Sequence, residues 1–531
     1  MKTAFKFCIA ILLGMAIFIP TKTDAAGVTL ITHGLNGNTD GWVSSMADRI
    51  TRHPSFPGTN FSIYHIFFVK MGALYYLDWE RSAGFAPTNN PGGEIIVKFD
   101  WRQLANNDYS TFQVAGSLSA ILTSTNFISE LGGHSLSELP IHLIGHSRGG
   151  SLVCETSRLL GKMGVWVDQI TTLDPHPLND PAFLLDPIKY SVIDAPALTY
   201  ENVLFHDNYF QTFNIIASGL AVPGAYRRQL LSLDGGYEGG LTASHSDAHL
   251  WYHGTIDLRP FDGGPGPASD TEAFLGNSER MTWYSTQEVQ GISAGFYFSR
   301  LGGGDRTSSD RPFGTPGDMI KDGFNQLWEL GAGHVGNRTR LISNAGNWPN
   351  VMKLNVTSTN VVSQGQNISL KIYLQWARSV GSTGTLEFYC DDDLNPLNGN
   401  SRLIKEFTFQ SNGPDNIGIY PVDLLIDSMS SPVGDHAVYA KIQAEGKTRY
   451  LYAPEILTVL GAPVIAISRV GQQWTIGVDS KAGQKIVIDT STNLSTWIPM
   501  TTNQLASDRW VYTPAQQAPE TFRFYRARTV P

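Results

Sequence analysis

Charge is scarce in this 531-residue chain, at 16% of residues, where about a quarter is usual for globular proteins. There is no basic tract, and a net charge of -9 is mild for the length, so nucleic acid is not an expected partner. Cysteine is scarcer still: Cys8, Cys154 and Cys390 make up the total of 3. Cys8 lies in the N-terminal apolar stretch with no lipobox after it, and the other two fall in regions that read as separate domains. No structural disulfide is therefore expected. After the first twenty residues no run is long and apolar enough to cross a membrane as a helix. What the chain does have is aromatic content, at 11%, and many glycine- and proline-rich joints. That balance suits an extracellular protein of strands and loops.

The N-terminus reads as a secretory leader. Lys2 and Lys6 precede an apolar core from Phe7 to Ile19, and Ala25-Ala26 offers small residues for cleavage, so residues 1–26 are expected to be removed on export. From 27 to about 255 strand and helix patterns alternate. Val28–Thr32 runs into His33-Gly34, Ile95–Phe99 is a second strand, and a helical stretch begins near Thr111. Ile170–Leu173 and Val203–Phe205 follow, each with an aspartate one or two residues on. The expected fold class is α/β, with a mostly parallel sheet covered by helices on both faces over 27–350. Beyond 350 the apolar residues alternate with a period of two, as in Ile368, Leu370, Ile372, Leu374 and Trp376. A β-sandwich is expected over 352–460 and a smaller all-β module over 463–531. The composition shift near 350 also predicts that residues 26–350 fold without the β units.

Two Gly-His-Ser tripeptides occur, at Gly133-His134-Ser135 and Gly145-His146-Ser147. A serine nucleophile is presented on a sharp strand-to-helix turn, with glycines where side chains would collide. Ser147 follows the apolar run Ile141–Ile144 and precedes Gly149-Gly150 and a helical pattern, whereas Pro140 denies Ser135 its helix. Ser147 is the candidate nucleophile. It needs a base, and a carboxylate to orient that base. Asp174 and Asp207 are the two candidate acids. His245, His249 and His253 recur every four residues in "SHSDAHLWYHG", and His245, at the loop-to-helix junction, is the preferred base. A zinc reading of the three histidines lacks a His-Glu-x-x-His signature. The backbone N–H groups of Leu35 and Arg148 are the expected oxyanion donors. Asp391, Asp393 and Asn395 alternate as in a calcium loop, but Pro396 and Arg402 stand where glycine and glutamate belong, so a hairpin-end turn is expected. No metal and no cofactor is expected.

"EIIVKFDWRQLANNDY", "LPIHLIGHSRGGSLVCE" and "VDQITTLDP", in this order, resemble the lipase family of the α/β-hydrolase superfamily, typified by pancreatic lipases. The resemblance covers roughly 27–255. It implies Asp174 as the acid and His245, in a Ser-His step, as the base; Ala243 stands where that family has cysteine. The tail "IDTSTNLSTWIPM…FRFYRAR" resembles a C-terminal β module of secreted multidomain bacterial proteins. The implied function is secreted cleavage of carboxylic esters, of lipids or other apolar esters, with "PAFLLDPIKYSVIDAPALTY" as a wall for the acyl group. Alternatives are an amidase or polyester depolymerase with the same triad. A third is a surface-binding or adhesion protein whose β units bind a surface or polymer while the N-terminal domain is inert.

Overall fold

The Ile141–Ile144 run becomes the centre of the N-terminal sheet, because a strand buried on both faces needs near-continuous apolar side chains. The computed structural model describes residues 26–303 and 346–530, except 54–60, 90–91, 107, 182–189, 214–216, 231–232, 239–241, parts of 258–294, 414–416, 428, 471–472 and 515–522. Residues 1–25 of the expected leader, all of 304–345 and the centre of the expected acyl wall (182–189) lie outside the described residues.

The N-terminal unit is built on strands β1 (Val28–Thr32), β2 (Ser62–Met71), β3 (Leu74–Gly84), β4 (Ile95–Asp100), β5 (Ile141–His146), β6 (Val167–Leu173), β7 (Val203–Phe210) and β8 (Tyr226–Gln229). They form one sheet in the order β3-β2-β4-β1-β5-β6-β7-β8. Every neighbouring pair is parallel except the β2–β3 hairpin, which turns through Gly72 at φ 65. The helices of the unit include α1 (Trp42–Ile50), α2 (Thr111–Leu122), α3 (Arg148–Lys162) and α4 (Ala243–Gly254). The Ser110 N–H at the start of α2 donates to Gln113 Oε1 at 2.9 Å, half of a capping box.

Two sheets follow. Pro349–Val356, Asn367–Trp376 and Ile417–Leu425 make one. The other contains Val361–Ser363, Leu457–Leu460, Gly434–Ala444, Thr383–Asp391 and Arg402–Gln410. Leu354, Ile368, Leu370 and Ile372 of the first pack with Leu386, Phe388, Val438 and Ile442 of the second, which is a β-sandwich. The last module pairs a sheet of Val464–Val470, Gln473–Asp479 and Arg509–Tyr512 with one of Ile498–Gln504, Lys485–Ser491 and Phe524–Val530. Its core gathers Ile476, Val478, Ile486 and Ile488.

These observations correct the α/β class expected for the chain. Strand residues outnumber helical ones at 42% against 17%, so the chain is predominantly β, with several small antiparallel sheets. Helices do not alternate regularly with strands. The β6–β7 connection contains no α-helix among its described residues. Pro175, Pro177, Pro181 and Pro196 lie in it, and each lacks the N–H that a helix interior requires. The β7–β8 connection likewise contains no α-helix among its described residues. A second correction concerns Asp207. It does not end its strand; β7 continues through Phe210, and Asp207 pairs with Thr171 inside the sheet.

The N-terminal unit and the sandwich share apolar packing. Tyr439, Tyr450, Tyr452 and Leu397 of the sandwich lie in the same cluster as Leu30, Val97, Leu143 and Ile170 of the sheet. Trp166 Nε1 donates to Gln375 Oε1 at 2.9 Å, and the buried Arg449 donates to the carbonyls of Ser137 and Trp166 at 2.7 and 3.0 Å. The composition shift at 350 thus marks a change of secondary structure and not a gap in the core.

Candidate active site

Ser147 lies between β5 and α3 at φ 57, ψ -125, a left-handed conformation that costs a non-glycine residue about 1–3 kcal/mol. Tight packing holds it there. A Cβ on Gly145 would lie 2.1 Å from the Gly149 carbonyl oxygen, and one on Gly149 would lie 2.6 Å from that of His33. One on Gly150 would meet the Pro175 Cβ at 2.7 Å. Backbone bonds fix the same residue: the Ser147 N–H donates to Leu173 O at 3.0 Å, and its carbonyl accepts from the N–H groups of Gly150 and His176 at 2.9 and 3.1 Å. The serine is 5% exposed.

Leu173 is the last residue of β6, so the bond to Ser147 brings Asp174 beside the turn. Asp174 is itself at φ 45 and fully buried. Its Oδ2 accepts from His245 Nδ1 at 2.6 Å and from Gln211 Nε2 at 2.7 Å, and its Oδ1 accepts from the Gln211 N–H at 2.8 Å. A Cβ on Gly219 would lie 2.0 Å from Asp174 Oδ1, so only glycine fits there. Burial pushes the Asp174 carboxyl up, with the two Gln211 bonds pulling it back. Burial pushes the His245 imidazole down, to about 3, with a further contribution from His176. A neutral ring that spends its Nδ1 proton on Asp174 carries its free electron pair on Nε2, the state a general base requires.

Of the candidate residues, the structure brings Asp174 and His245 into direct contact and sets Ser147 one bond from the Asp174 loop. Asp207 is elsewhere: its Oδ1 accepts from Thr171 Oγ1 at 2.6 Å and from Gln169 Nε2 at 2.9 Å. His249 and His253 are buried further along α4. The His249 ring stacks on Trp42 with centroids 4.4 Å apart. Ser135 precedes a 3-10 turn, and its N–H donates to Glu138 Oε1 at 3.0 Å. Arg148 opens α3, where the first amides have no intrahelical acceptor. Leu35 follows Gly34, where a Cβ would lie 2.6 Å from that of Ser147.

Two residues of the site carry no signal in the sequence. One is Gln211, whose role arises from the pairing of β6 with β7. The other is Asp194, fully enclosed with the side chain of Arg148. The guanidinium donates to Asp194 Oδ2 and Oδ1 at 2.7 and 2.8 Å, and to the carbonyls of Ala105, Asn106 and Tyr109 at 3.0, 2.6 and 2.7 Å. All five of its N–H groups are thereby used. Asp194 also accepts from the N–H groups of Thr111 and Leu178, at 2.9 Å each. One ion pair thus joins α2, the elbow and the β6–β7 connection.

Among the described residues no group of three or more His, Cys, Asp or Glu side chains could hold a metal ion. In the 391–400 turn the carboxylates accept from the loop's own donors. Asp393 Oδ2 takes the amides of Asn398 and Asn400 at 2.7 and 2.6 Å, and Asp391 Oδ2 takes the Asn395 N–H at 3.0 Å. Cys154 and Cys390 are buried and free.

No protein-family model and no curated protein matches the sequence. Among solved structures, a CARDB domain from Pyrococcus furiosus, in complex with di-metal ions, is 10% identical with a TM-score of 0.14, over 21% of this chain and 94% of that one. A tetra-tandem repeat from the extending region of a large adhesion protein is 14% identical with a TM-score of 0.16, over 37% of this chain and 51% of that one. A superoxide reductase from Ignicoccus hospitalis is 11% identical with a TM-score of 0.14, over 21% and 80%. The resemblance to the lipase family and the α/β-hydrolase superfamily is corrected by the strand-dominated chain, 42% strand against 17% helix. TM-scores this low carry no argument about function.

Proposed function

We propose that this chain cleaves carboxylic esters through an acyl-serine intermediate. The observation that carries the reading is the 2.6 Å bond from His245 Nδ1 to the buried Asp174 carboxylate, beside a serine strained into a left-handed turn. In this reading Ser147 Oγ attacks the ester carbonyl as His245 Nε2 takes its proton. The same nitrogen then returns the proton to the departing alcohol, and water repeats the sequence on the acyl-serine. Asp174 keeps the Nδ1 proton in place and stabilises the imidazolium. The N–H groups of Arg148 and Leu35 are the proposed oxyanion donors. The base works only while the Asp174–His245 pair holds a single proton, so kcat/KM is expected to fall on the acid side as the pair takes up a second.

The substrate class is proposed as apolar esters, with amide or polyester cleavage the rival for the same triad. Turnover of p-nitrophenyl esters against matched anilides separates them; faster anilide cleavage would favour the rival. We further propose export with removal of residues 1–26, which N-terminal sequencing of the secreted protein checks. A second reading, binding to a surface or polymer through the β units, is favoured by large apolar side chains left in solvent on the last module. They include Ile467, Trp474 and Val511. A fluorophosphonate probe separates the two: covalent labelling supports the enzyme, and a folded, unlabelled protein supports the binder.

A further inference from the structure

Resting on the ester-cleaving reading, we propose that His146 is a positioning residue, which ties the base-bearing turn of α4 to the nucleophile strand. Its Nε2–H donates to the backbone carbonyl of His245 at 2.8 Å, and the two rings lie with centroids 4.5 Å apart. Since a carbonyl can only accept, the ring carries its proton on Nε2. Burial, with His245 next in effect, pushes His146 down to about 3, so that is its one proton.

The local sequence leaves α4 in need of such an anchor. Thr242 at the helix start makes no side-chain cap bond, and its carbonyl takes the N–H groups of His245 and Ser246 at 3.1 and 3.2 Å. Two bonds from outside the helix fix His245: Asp174 holds the ring, and His146 holds the backbone. His146 is itself wedged in place. The His249 ring stands edge-on to it at 4.8 Å and Trp42 at 5.9 Å, with Trp42 stacked on His249 behind them. The residue before the nucleophile therefore transmits the position of β5 to the base. Losing the bond lets the first turn of α4 drift, and the Ser147–His245 geometry with it.

The test compares His146→Gln, whose amide N–H falls near the Nε2 position, with His146→Asn, which is one carbon too short, and with His146→Leu. On a soluble p-nitrophenyl ester, Leu and Asn are expected to lower kcat by on the order of 10- to 100-fold with KM within about twofold, and Gln to stay within about threefold of wild type. A second readout needs no substrate. The downfield proton resonance of the His245–Asp174 bond should persist in the Gln variant and broaden in Asn and Leu. If the Leu variant fails to fold, the Gln/Asn pair decides. A Gln variant as slow as Asn, or an Asn variant with wild-type kcat and an unchanged resonance, overturns the proposal. An unlabelled wild type in the fluorophosphonate assay would overturn the ester-cleaving reading, while the resonance would still test whether His146 positions His245.

Discussion

Asp174 and Asp207 follow similar strand sequences, yet their surroundings separate them completely. Asp174 takes three hydrogen bonds, one from His245 Nδ1 and two from Gln211, whereas Asp207 accepts from Thr171 and Gln169 inside the sheet. Asp174→Asn is therefore expected to lower turnover by about three to four orders of magnitude, since the amide favours the wrong tautomer of the base. Asp207→Asn should cost far less. Activity assays on both variants decide, and a collapse confined to Asp207→Asn would reverse the assignment. His249 supports a second prediction. Its Nδ1 is buried without a hydrogen-bond partner while its ring is stacked on Trp42, and burial holds its pKa well below the ordinary value. The unfolded chain thus takes up a proton near pH 6.5 that the folded chain refuses, so this contribution to stability is present above that pH and lost as pH falls. His146 and His245, both lowered to about 3, act in the same direction. Asp174, raised to about 7, opposes them with one proton between pH 7 and 3.8. Asp391, raised to about 6, and Glu94, also raised by burial, oppose them in the same way, so a comparison with a His249 variant isolates the His249 share between pH 6.5 and about 4. The urea midpoint of His249→Phe should therefore rise relative to wild type as pH falls from 6.5 to about 4; an unaltered slope in the variant would contradict it.

At the scale of elements, the strand-to-helix turn at Ser147 was legible because its requirements are local. An apolar strand, two flanking glycines and a helix pattern lie within twenty residues. A Cβ on Gly145 would lie 2.1 Å from the Gly149 carbonyl oxygen, so Gly145→Val should misfold or unseat Ser147, with soluble yield and probe labelling as the readouts; a fully labelled, stable variant would contradict it. The β6–β7 connection was not legible in the same way. The Asp174 loop follows from the sequence, but Gln211 and Asp194 make their contacts only once distant segments are paired, and nothing in their neighbours marks them. Helix coverage was over-read for a physical reason: alternation of strands fixes a parallel sheet, whereas proline-rich crossings join the strands without helices. Period-two alternation, by contrast, marked the sandwich strands directly.

The whole molecule is less modular than its composition. Residues 26–350 were expected to fold alone, yet Tyr439, Tyr450 and Tyr452 share an apolar cluster with the N-terminal sheet. Arg449 and Asn395 bond to backbone carbonyls of that unit, Asn395 Nδ2 to Pro87 O at 2.6 Å. Sequence periodicity reports which face of a strand is buried but not which unit buries it. A chain ending at 346 should therefore be insoluble or far less stable than one ending at 462. Melting temperatures of the two check this, and equal values would restore the autonomous reading. Mass spectrometry of the folded, full-length protein after reaction with a fluorophosphonate tests ester cleavage at Ser147 most directly. A single adduct is expected, mapped to Ser147 and absent from Ser147→Ala; an unmodified protein, or an adduct on another residue, would contradict the ester-cleaving reading.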